Sequence, residues 1–89
     1  DHASAKKDYT RYLKSKPNSH TAYNWRGISY LQLQNFEKAM ADFNKAIEIN
    51  PQAGEYYFNR SKIHAVSGNE TQRQQDLQKA KQLGFAVPQ

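Results

Sequence analysis

Residues 36–49 read FEKAMADFNKAIEI. Phe36, Ala39, Met40, Phe43, Ala46 and Ile47 fall at i, i+3, i+4, i+7, i+10 and i+11, a single apolar stripe along a helix. Such a stripe must be laid against a neighbour. The residues before it, 21–33, also read as a helix, with Tyr23, Gly27 and Tyr30 on one side. The intervening Gln34-Asn35 is too short for anything but an antiparallel hairpin. Asn35 is placed to cap the second helix, and Asn50-Pro51 ends it, because a residue before proline avoids the helical region.

The same text recurs at an offset of 34 residues. Pro17 falls on Pro51, Tyr9 on Phe43, Asp8 on Asp42, Tyr23 on Tyr57, Arg26 on Arg60, Asn35 on Asn69 and Ala46 on Ala80. One unit is therefore written about two and a half times. The predicted division is 1–19 as the second helix of a partial unit, 20–53 as a full unit, 54–85 as a divergent full unit and 86–89 as a tail. Within it, helices are predicted near 3–15, 21–33, 36–49, 54–67 and 70–83, five in all.

The chain has 89 residues, enough for one small domain that buries roughly 60–65% of its unfolded surface. A hydrophobic share of 37% and a mean hydropathy of −1.04 describe a thin core, which six Tyr, four Phe and one Trp fill with large side chains. There is no cysteine, which excludes disulfides and thiolate metal sites. No apolar run approaches the roughly 20 residues that span a bilayer, so no membrane insertion is expected. The net charge of +5 sits at the ends: residues 1–19 carry five basic and two acidic groups, residues 20–53 three of each, and residues 54–89 five and three.

With Tyr23, Gly27, Tyr30, Ala39, Phe43, Ala46 and Pro51 in register and a 34-residue echo on both sides, the sequence resembles the tetratricopeptide repeat (TPR) family. The resemblance covers residues 1–85. It implies an all-α, right-handed solenoid of antiparallel helix hairpins, working as a non-catalytic module for protein or peptide partners. In this reading Gly27 and Ala39 face each other where the hairpin helices cross. In the last unit that pair becomes Ser61 and Arg73, so the final hairpin is expected to be looser, with Arg73 turned outward.

The resemblance further implies that the first helix of each unit lines a concave side. Carried over, that wall holds Asn24, Trp25, Ile28 and Leu31 from one helix and Phe58, Asn59 and Lys62 from the next. Their spacing independently puts each set on one helix face. The expected mechanism has Trp25 and Phe58 as apolar anchors, Asn24 and Asn59 bonding a peptide backbone, and Lys62 favouring an acidic residue; the bland alternative packs Trp25 and Phe58 between hairpins. Some family members grip a chaperone's C-terminal carboxylate with lysines, asparagines and an arginine over three first helices. Only Asn59 matches that set here, so chaperone-tail capture is not expected.

No catalytic constellation is present: there is no phosphate loop, nucleophile elbow or HExxH, so no enzyme activity and no cofactor is expected. His2, His20 and His64 are scattered, and no metal site is expected; His64 is read as filling an aromatic slot with one nitrogen reaching water or backbone. Lys7, Arg11 and Lys14 form a basic stripe on the first helix, with Lys79 and Lys81 on the last. Nucleic acid or an anionic surface is the alternative partner there, but aromatic residues do not interleave with these charges, and a solvated face is preferred. A structural spacer within a longer array is the third alternative. The half unit leaves Ala5, Tyr9 and Tyr12 uncovered, which implies either excision from a longer array, the preferred reading, or self-association through the open N-terminal edge.

Overall fold

The computed structural model describes residues 1–88, and among them the chain forms five α-helices. These are α1 (His2–Ser15), α2 (His20–Gln32), α3 (Phe36–Ile49), α4 (Gly54–Ser67) and α5 (Glu70–Gln82). The starts of α1, α2 and α3 follow from short polar caps that satisfy otherwise unpaired N–H groups, whereas α4 and α5 begin without a side-chain cap bond. Asp1 accepts from the Ser4 amide, Ser19 from that of Ala22 and Asn35 from that of Lys38. The stops follow from Asn50 before Pro51 and from Gly68, whose φ of 76° breaks the helical run.

α2 pairs with α3 and α4 with α5 as antiparallel hairpins; α1 packs on α2, and α3 on α4. The centre of the molecule is Ala39, Phe43 and Ile63, with Ile28, Leu31 and Met40 closing around them. Phe43 is fully buried, and truncating such a ring typically costs about 3–5 kcal/mol.

Gly27 is required by that ring. A Cβ at this position would lie 2.7 Å from Phe43 Cε1 and 2.9 Å from Cδ1, and Phe43 atoms are the three nearest. The expected partner, Ala39, is buried in the same core but is not what presses on the glycine. The last hairpin also departs from expectation. Arg73 does turn outward, bonded to Glu70 one turn earlier on its own helix, yet α4 and α5 pack over as long a seam as α2 and α3. With Arg73 out of the seam, buried Ser61 and Ala80 leave room for close approach. Gly54 makes a second close approach, since a Cβ there would meet the Ala80 carbonyl at 2.8 Å.

Each hairpin carries the same ion pair. Arg26 donates from Nε and Nη2 to the two oxygens of Asp42 at 2.8 and 2.7 Å, and Arg60 does so to Asp76 at the same distances. A third nitrogen reaches back one helix, from Arg26 to Thr10 at 3.3 Å and from Arg60 to Asn44 at 3.0 Å. Planar guanidinium and carboxylate match in this two-bond geometry, which fixes the hairpin register while tying it to the preceding helix.

Candidate functional site

α2 and α4 lie side by side as the first helices of successive units, and polar side chains join them. Asn59 donates its amide to Asn24 Oδ1 at 2.8 Å, Asn24 donates to Glu55 Oε2 at 3.3 Å, and His20 Nδ1 lies 2.6 Å from the Tyr56 hydroxyl. Burial raises the pKa of that Tyr56 hydroxyl above the usual phenol value. Asn24 and Asn59 are 2% and 4% exposed. Both therefore lie on the same flank, as expected, but their amides are committed to each other. The sequence reading gave them to a peptide backbone; the structure gives them the work of holding two helices together, because a buried amide must find a partner.

The remaining residues of the expected wall divide by exposure. Ile28 and Leu31 are half-buried against the central core. Trp25 is 45% exposed and turns towards α1, where it lines a groove of about 330 Å³ with Asp8, Tyr9 and Tyr12. No residue of α4 lines that groove. Phe58 is half-buried, with the exposed Lys62 ammonium 4.7 Å above its ring and the ring of Phe85 at 5.1 Å. A cation over an aromatic face is held in place while its outer hemisphere stays available to a carboxylate.

Two features of this region were not foreseen. The Phe85 contact comes from the residue standing 34 positions after Pro51. The other is at His64, whose Nε2 lies 3.5 Å from Asp76 Oδ2 rather than against water or backbone, while its Nδ1 is buried without a partner. Asp42 and Asp76, by hydrogen bonding, raise the pKa of Arg26 and Arg60 against the opposing effect of burial. Both guanidinium groups are consumed inside the fold and are not ligand groups.

Lys7, Arg11 and Lys14 are exposed along α1, and Lys79 and Lys81 along α5. Among the described residues no group of three or more potential ligands could hold a metal ion, and no helix is long and apolar enough to cross a membrane.

Residues 20–53 match the family profile described as tetratricopeptide repeat. Among solved structures, the chain is similar to one described as the TPR2B-domain:pHsp70-complex of yeast Sti1, with a TM-score of 0.89 and 28% identity over 93% of this chain. It spans 66% of that chain, slightly under two thirds. It is also similar to the second TPR of Spaghetti (RPAP3) bound to the HSP90 peptide SRMEEVD, with a TM-score of 0.88 over 92% of this chain and 76% of that one; at 22% identity this likeness speaks for the fold alone. No curated protein matches the chain by sequence.

Proposed function

We propose that this tetratricopeptide-repeat chain is a non-catalytic interaction module whose first helices, α2 and α4, bind a peptide segment. The observation that carries the reading is Lys62 held over the half-buried Phe58 ring, itself beside Phe85, on a flank of α4, the helix that Asn59 and Glu55 tie to α2. This offers a cation and an apolar ledge together, the pairing that suits a segment mixing acidic and apolar residues. The yeast Sti1 domain, of the same fold, is described in complex with pHsp70, which supports a peptide as the ligand class.

In this reading Phe58 supplies the apolar anchor and Lys62 the charge. Asn24 and Asn59 set the spacing of the two helices from within. With only two first helices available, binding is weak, in the micromolar range or above.

Calorimetric titration of the C-terminally amidated peptide SRMEEVD, a probe that mixes acidic and apolar side chains and carries no free tail carboxylate, tests this. Saturable binding that falls about tenfold in Lys62→Glu, with helicity unchanged, is the expected result, since a charge-assisted contact is lost and replaced by repulsion. No binding at millimolar peptide, or equal affinity for the Lys62→Glu chain, would overturn it.

A further inference from the structure

Tyr30, near the end of α2, stands among three cations drawn from three helices. The ammonium nitrogens of Lys6 on α1 and Lys38 on α3 lie 5.7 and 5.8 Å from the centre of its ring, and the Arg26 guanidinium lies at 5.8 Å. The arginine is already committed, because two of its nitrogens bind Asp42. The lysines are not. Lys6 is half-buried and Lys38 exposed, and among the described residues neither forms an ion pair. Glu37, the acid next to Lys38, points about 100° away round α3. The ring attracts each ammonium, but the repulsion between two such charges at one place is left unanswered.

The tyrosine adds a free donor. Tyr56 and Tyr57 direct their hydroxyls to His20 and to the Pro51 carbonyl, whereas that of Tyr30 has no partner among the described residues. It is open to water, since the buried polar side-chain atom that lacks a partner there is His64 Nδ1. The second copy of this place in the fold lacks the charges. Shifted by 34 residues, Lys6, Tyr30 and Lys38 become Met40, His64 and Gln72. There Arg60 still holds Asp76 by two bonds, and His64 leans on the same carboxylate at 3.5 Å. A hairpin is thus built without lysines at these positions, and packing does not demand the two in the first unit.

We infer that Lys6, Lys38 and the Tyr30 hydroxyl form a binding site for a phosphate dianion. Two ammonium groups and a phenol O–H give donors to several oxygens at once, and two positive charges match the two negative ones of phosphate better than the single charge of a carboxylate. The long lysine stems let both ammonium groups turn from the ring towards one guest. Because the site is open to water, its affinity is low, on the order of millimolar. It uses no residue of the peptide site on α4 and does not depend on that reading.

The test is a titration of the intact chain with inorganic phosphate, read from amide shifts in proton–nitrogen correlation spectra while sodium chloride holds the ionic strength constant. Saturable shifts at Lys6, Tyr30 and Lys38 are expected. Lys6→Met and Lys38→Gln install residues that the second unit carries at the same places, so the fold should tolerate them. Each should weaken binding about threefold to fivefold, and the two together at least about tenfold. Tyr30→Phe keeps the ring and should weaken binding about threefold. Lys14→Gln, at the far end of α1, should leave it unchanged. N-acetyl-O-phosphoserine amide forms a second arm: tighter binding than inorganic phosphate assigns the site to phosphate esters, and equal or weaker binding assigns it to the free ion, either of which supports the site. Failure of both probes to saturate, an affinity unmoved in the double variant, or an equal loss in Lys14→Gln would overturn the inference.

Discussion

Arg26 and Asp42, sixteen residues apart, meet through two parallel hydrogen bonds of 2.8 and 2.7 Å. The carboxylate side chain is 6% exposed and the guanidinium 20%. Removing the acid leaves a cation with part of its hydration gone. Asp42→Ala should therefore destabilise the fold by about 2 kcal/mol, below the roughly 3–5 kcal/mol for a fully buried pair because Arg26 still reaches water. Asp76→Ala should do the same, and urea unfolding of both variants would check it.

Gly27→Ala sets two known effects against each other. Alanine raises helix propensity by about 1 kcal/mol, but its methyl would stand 2.7 Å from a ring with no room to retreat, and overpacking of this kind costs about 1–3 kcal/mol. A net loss of stability is expected. In a double-mutant cycle with Phe43→Leu the loss should shrink, since the smaller side chain vacates the space; additivity would show that the ring is not the cause.

For the amide pair, Asn59→Ala leaves the Asn24 carbonyl buried without its donor and should cost about 1–3 kcal/mol. Asn24→Ala in the same background should then cost little more. Thermal unfolding of the four chains measures the coupling, and a coupling near zero would return both asparagines to candidacy as ligand groups.

At the start of α5, Arg73 and Gln74 hydrogen-bond to Glu70 and bring its pKa from 4.5 to about 2. A depressed carboxyl favours the folded state at pH above the ordinary carboxylate range, and this contribution is lost as the pH falls through about 2. A side-chain NMR titration should find the low midpoint, and Arg73→Gln should move it up towards that of an ordinary glutamate.

Helix positions were legible in the sequence to within a residue at most ends, because period, caps and proline stops all agree there. The repeat also showed Arg26 over Arg60 and Asp8 over Asp42. What it did not show is that arginine and aspartate meet, since that depends on how two helices cross. The constant separation of sixteen between opposite charges was the available signal. Asn24 and Asn59 bond each other, and their burial is set by the distance between α2 and α4, which no helical spacing encodes. Trp25 was read with Phe58 as a pair of anchors, but the groove it lines is shared with α1, and how a side chain turns between two neighbouring helices is not written in its spacing.

The longest span closed by any side-chain hydrogen bond among the described residues is that from His20 to Tyr56, 36 positions. Such short loops ask little entropy to close, so the chain should fold quickly for its size and in pieces no larger than adjoining hairpins. Drawn out by its two ends, it should give way one hairpin at a time, each step lengthening the thread by nearly the same amount.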